Sequence, residues 1–141
     1  MRVVVVSTCA ALILAAAGCG GGGGTPAALP TPGPVTFHQS GGFSANPPDI
    51  TYTILATGAA TKTLNGGPAG TAQLTVTQTA QLYADVQKAM PLSSLPLSSV
   101  PDSASITVSF QGQTSPDIFG ADNAKEQALL SDLSVIQAAL P

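Results

Sequence analysis

Residues 104–119 read ASITVSFQGQTSPDIF, and this stretch decides the fold class. Residues 104–110 alternate between apolar side chains and serine or threonine, a period of two that predicts a strand with one buried face. Gln111-Gly112 then turns the chain back into a second strand over residues 113–119, in which Pro116 indicates a sheet edge or a bulge. A hairpin joins antiparallel strands, so we expect an antiparallel sheet.

Short strand patterns also precede this hairpin. Residues 50–57 place isoleucine, tyrosine and alanine on one face and threonine on the other. Residues 60–64 either pair with that strand or continue it, and Asn65-Gly66-Gly67-Pro68 is a strong turn signal. The upstream candidates are residues 35–38, 50–57, 60–64 and 71–74.

Two helices are expected, and each has a readable start. Thr75 with Gln78 forms a capping box, and Pro91 ends the helix that follows. The second helix begins at Asn123 or Asp122, with Glu126 at the capping-box position. Its apolar stripe consists of Leu129, Leu133, Ile136 and Leu140.

The order of elements is strands, helix, hairpin, helix. This order predicts an α+β domain over residues 35–141, in which an antiparallel sheet of about four to five strands carries both helices on one face. The few aromatic residues that fall in strands, Phe37, Tyr52 and Phe110, lie at inward positions. We therefore expect them to pack in the core.

The N-terminus has the organisation of a secretory leader. Arg2 is followed by an apolar run over residues 3–17, broken only by a serine and a threonine. This run falls short of the roughly 20 residues that a membrane-spanning helix needs. Residues 16–19, AAGC, resemble the lipobox of bacterial lipoproteins, which implies cleavage after residue 18 and acylation of Cys19. A spanning helix and a leader cleaved elsewhere are the alternatives.

Cysteine usage agrees with lipidation. Cys9 is lost with residues 1–18, so the mature chain keeps Cys19 alone and forms no internal disulfide. Residues 19–34 are rich in glycine and proline and predict a tether that spans at most about 50 Å. The acylated Cys19 would bind the lipid bilayer, and Gly20 after it resembles lipoproteins sent to the outer membrane.

The charge balance excludes one class of partner. Without Arg2 the chain has three lysines against seven acids, a net charge of about −4. Nucleic-acid binding requires many basic groups to neutralise phosphates, so it is not expected.

The residues also disfavour catalysis. His38 is the only histidine, which leaves too few ligands for zinc. A Ser-His-Asp triad is not expected, because His38 lies near the tether in a strand with a structural pattern and Gly-x-Ser-x-Gly is absent. Asp117 and Asp122 are better explained as the outward face of an edge strand and a helix cap than as paired catalytic acids. We therefore expect no enzyme activity, no cofactor and no metal.

Residues 35–43, VTFHQSGGF, resemble the first strand of the emfourin-like family, protein inhibitors of protealysin and related thermolysin-like metallopeptidases. The later order of elements is similar: a helix followed by Leu95-Pro96, then Pro101-Asp102 before the strand 106–110, a hairpin and a terminal helix. The similarity covers residues 35–140.

This resemblance implies a binding domain whose partner is a metallopeptidase. The partner-binding residues it implies are Ser40, Gly41, Gly42 and Phe43. An ordinary turn is the other explanation for the two glycines. The alternative function is a structural or assembly lipoprotein of the cell envelope that docks a partner protein at the sheet edge near Pro116.

Overall fold

The structure, a computed structural model, describes residues 31–42, 46–98 and 104–141. These residues form one antiparallel sheet with strand order β4-β3-β2-β1-β5-β6 and two helices. The strands are β1 Val35–Gly41, β2 Ile50–Ile54, β3 Ala59–Leu64, β4 Gly67–Gln73, β5 Ala104–Phe110 and β6 Gln113–Thr114. The helices are α1 Val76–Ala89 and α2 Ala124–Ala139. The leader, Cys19 and most of the tether lie outside the described residues.

The α+β class is confirmed, and the described sheet has six strands where four to five were expected. β4 is longer than its sequence indicates, because residues 67–70, GPAG, have little strand propensity yet pair with β3. β6 is only two residues long because Pro116 cannot donate a backbone hydrogen bond to a regular ladder.

The two helices cross one face of the sheet in opposite directions. α1 follows β4 at one edge, and the turn after it reaches β6, where the Leu92 N–H donates to Gln113 Oε1 over 3.0 Å. α2 returns to the first edge, where Lys62 Nζ on β3 donates to the carbonyl of Leu140. The predicted capping box of Thr75 and Gln78 is confirmed.

The N-cap of α2 is Asn123, one of the two candidates. Its side-chain oxygen accepts hydrogen bonds from the N–H groups of Lys125 and Glu126. The Glu126 carboxylate accepts a hydrogen bond from the Asn123 side chain.

The core lies between the sheet and the helices. Val35 and Phe37 on the central strand β1 are fully buried, as is Ile118 after β6. Tyr83 on α1 meets Phe110 on β5 edge to face, with ring centroids 5.7 Å apart. Phe37, Tyr52 and Phe110 are all buried, as their positions in the alternating pattern predicted.

The other face of the sheet presents hydroxyl groups to solvent. One cross-strand row takes a single serine or threonine from each strand, in the order Thr71, Thr61, Thr53, Thr36, Ser109 and Thr114. The side chains of this row are half-buried or exposed. This row therefore exposes uncharged hydroxyls, and not charged groups, to solvent.

Candidate functional site

The residues implied by the family resemblance lie at one end of β1. The pairing of β1 with β2 stops at Gln39, whereas its pairing with β5 continues through Ser40 and Gly41. Gly41 and Gly42 have φ angles of 83° and 115°, in the left-handed region that favours glycine. The chain thus leaves the sheet directly after Gly41. Phe43 lies outside the described residues.

The neighbouring connections meet at the same end of the sheet. Asp49 precedes β2, and Asn65 lies in the turn between β3 and β4. The two residues are joined twice: the Asp49 N–H donates to Asn65 Oδ1 over 3.0 Å, and the Asn65 N–H donates to the Asp49 carbonyl over 2.7 Å. We call residues 40–42, 46–49 and 65–66 the loop end of the sheet.

His38 lies beside the loop end on the hydroxyl-rich face. Its Nε2 is 3.0 Å from Oδ1 of Asp49, and the two side chains are 43% and 58% exposed. Exposed ion pairs of this kind contribute little to stability. Among the described residues, no serine hydroxyl is hydrogen-bonded to His38, so its contacts hold the β1–β2 connection and do not assemble a nucleophile.

The tether joins the sheet at the opposite end of β1. The hydroxyl of Tyr83 donates to the carbonyl of Gly33 over 2.9 Å and is 3.2 Å from the carbonyl of Ile54. We call residues 31–35 the tether end. β1 has seven residues, so at about 3.4 Å per residue the two ends are about 20 Å apart.

The sheet edge near Pro116 is covered in this structure. The hydroxyl of Ser115 accepts the N–H of Val108, and the carboxylate of Asp117 accepts the N–H of Ile106 over 2.8 Å. The prediction that Asp117 faces outward is wrong, since its side chain turns toward β5. Ser98 also donates its N–H to the carbonyl of Asp117, which adds a further layer outside this edge.

The acidic residues form no catalytic pair within the described part of the chain. Asp117 is occupied by backbone donors, and Asp122 is exposed just before the α2 cap. No group of three His, Cys, Asp or Glu among the described residues could hold a metal ion.

Three buried or half-buried acids were not identified from the sequence as candidate site residues, although Glu126 was placed at the helix cap. Glu126 is 1% exposed, and burial, with a smaller contribution from Asp122, raises its pKa. Burial likewise raises the pKa of Asp132 to about 6, and the charge of Asp85 adds to the effect. Burial opposes ionisation of Asp85 as well, but hydrogen bonds from Gln81 and Lys88 lower its pKa below the ordinary value.

A sequence signal for Asp132 does exist. It lies three residues after Leu129 and four before Ile136, within the apolar stripe of α2. That spacing places it on the face that packs toward α1.

Neither described helix is long and apolar enough to cross a membrane. The chain matches no family model, no curated protein and no solved structure.

Proposed function

We propose that this protein is an exported bacterial lipoprotein, anchored by acylated Cys19, whose small domain binds a partner protein without catalysing a reaction. The partner class that the sequence favours is a thermolysin-like metallopeptidase, which the loop from Ser40 to Phe43 would inhibit. The observation that carries the proposal is the position of the tether end and the loop end at opposite ends of β1. A domain held at one end presents the other end away from the bilayer.

The local geometry supports a loop that is presented for binding. Two successive left-handed glycines redirect the backbone at the end of a central strand that is paired on both sides. Two hydrogen bonds between Asp49 and Asn65 hold the neighbouring connections in place. A recognition loop on a rigid support loses less conformational entropy on binding than a free loop.

Inhibition is tested by adding the purified domain to a thermolysin-like enzyme and measuring peptide cleavage. Ser40→Arg introduces a large side chain at the loop end, and Thr36→Arg introduces the same side chain on the same face of β1 near the tether end. We expect the wild type and Thr36→Arg to inhibit equally, and Ser40→Arg to inhibit at least tenfold less. Undiminished cleavage with micromolar wild-type domain would rule out the inhibitory role.

Anchoring is tested separately in cells that are fed an alkyne-tagged fatty acid. The wild type should carry the label and sediment with the envelope, in the outer-membrane fraction if the cell has two membranes. Cys19→Ser should lose both properties, whereas Cys9→Ser should keep them because residue 9 belongs to the leader. A labelled Cys19→Ser protein would contradict this assignment.

A structural or assembly role is the second candidate, and the exposed edge of β4 favours it. The edge near Pro116 is covered, but the outer side of β4 has no backbone partner among the described residues. An exposed edge can accept a strand from another protein. A photo-crosslinker at Thr71 on β4 should then capture an envelope protein in intact cells, and one at Thr114 on β6 should not. Failure to recover a partner at Thr71 would remove this candidate.

A further inference from the structure

A cavity of about 210 Å³ lies between α1 and α2, away from the loop end. We call it the interhelical cavity. Its apolar walls are Leu74, Leu82, Val135 and Ile136, and Asp132 is the one acidic residue that lines it. This volume is below the roughly 300–1,000 Å³ of pockets that hold drug-sized molecules, so a ligand here must be small.

The charges that act on Asp132 are unbalanced. Asp85 on α1 accepts hydrogen bonds from Gln81 and from Lys88 Nζ, the latter over 3.0 Å. Asp132 on α2 faces the same pair of charges, but its Oδ2 is buried and has no hydrogen-bond partner among the described residues. Two carboxylates thus share a single nearby ammonium group. A half-buried carboxylate without a hydrogen-bond donor is costly, and a cation on its accessible oxygen would balance its charge.

We propose that the interhelical cavity binds a small aliphatic amine in its ammonium form, with the ammonium group on Asp132 and the carbon chain between Leu82 and Ile136. The apolar walls suit methylene groups, and the carboxylate supplies the opposite charge. An ammonium group suits the site better than a guanidinium group, because Oδ2 of Asp132 is buried and leaves one oxygen accessible, whereas a guanidinium requires two oxygens in a fixed fork.

The proposal is tested with n-butylammonium chloride and the purified mature chain labelled with ¹⁵N. At pH 7.5 we expect millimolar binding, read from amide shifts that are confined to residues around the interhelical cavity. Neutral n-butanol has nearly the same size and should bind at least tenfold more weakly. Binding also requires ionised Asp132, so its affinity should fall about tenfold between pH 7.5 and pH 5.

Two variants, each with a matched control, test where the probe binds. Asp132→Asn should reduce n-butylammonium binding at least tenfold and remove its pH dependence, while the exposed Asp122→Asn should change neither. Val135→Lys adds an ammonium group one turn from Asp132 and should block the probe, while Ser134→Lys, at a residue that does not line the cavity, should not. Equal binding of butanol and butylammonium, or unchanged binding to Asp132→Asn, would overturn the proposal.

This inference does not depend on the proposed function. Loss of metallopeptidase inhibition by Ser40→Arg should leave butylammonium binding intact, because the interhelical cavity lies on the helix-covered side of the sheet. Conversely, Asp132→Asn should inhibit the metallopeptidase as well as the wild type does. The two proposals can therefore fail separately.

Discussion

Replacing Tyr83 with phenylalanine should separate the contact of the tether from the packing of the domain. The substitution removes the hydroxyl that donates to the Gly33 carbonyl and lies near the Ile54 carbonyl. It keeps the ring and its edge-to-face contact with Phe110. The loss is therefore confined to hydrogen bonding.

The expected magnitude follows from the two acceptors. A hydrogen bond contributes about 1 kcal/mol net, and a buried carbonyl left without a donor adds to the cost, so we expect a loss of about 1.5 kcal/mol. For a domain of this size each kcal/mol lowers the melting temperature by about 5 °C. In a chain that begins at Val35, Gly33 is absent and Tyr83→Phe should cost only about half as much.

The assay is urea unfolding of four proteins: residues 19–141 with Cys19→Ser and residues 35–141, each with tyrosine or phenylalanine at position 83. The difference between the two losses is the coupling of Tyr83 to the tether. Tyr52→Phe is the control, because its buried hydroxyl meets Gln137 on α2, so its loss should be equal in both lengths. Equal losses for Tyr83→Phe as well would refute the idea that this hydroxyl holds the tether.

Four further substitutions test the local physics by thermal or urea unfolding. Gly58→Ala should cost at least about 2 kcal/mol, since φ is +85° and the new Cβ would lie 2.7–2.9 Å from three atoms, whereas Gly66→Ala, with φ +79° and open space, should cost only about 1 kcal/mol. Thr75→Ala should cost about 1 kcal/mol, because it removes the capping box; no loss would mean that the cap is redundant. Burial raises the pKa of Asp132 from 3.8 to about 6, so its protonated form stabilises the fold below about pH 4 and that contribution is lost as the pH rises through 6. The stability of the wild type relative to Asp132→Asn should therefore fall over this range by about 1 kcal/mol after solvent screening, and a rise would contradict the sign.

Local patterns predicted the elements that bury one regular face. The alternation in residues 104–110 identified β5, and Thr75 with Gln78 marked the start of α1. β4 was only partly predictable, because residues 67–70 are held in the sheet by pairing with β3 and not by their own propensity. The strand propensity of a segment can be read from its own residues. Pairing with an adjacent strand can be recognised only once the strand order of the sheet is known.

The candidate sites divide in the same way. Ser40, Gly41 and Gly42 form a local motif, and they lie together at the end of β1. The burial of Asp132 depends on α1 packing across it, and an acid on an amphipathic helix is usually solvated. Only the position of Asp132 within the apolar stripe could have indicated that its side chain is partly buried.

The central position of β1 has a mechanical consequence. If the lipid anchor holds the chain while a partner pulls on the loop end, the load runs lengthwise along β1. Antiparallel ladders to β2 and β5 flank this strand, and their hydrogen bonds lie across the direction of the load. A load between the tether and residues 40–42 runs through the extended covalent backbone of β1, and drawing this strand out of the sheet would require both ladders to shear together. This topology would suit an anchored domain that has to stay folded under tension.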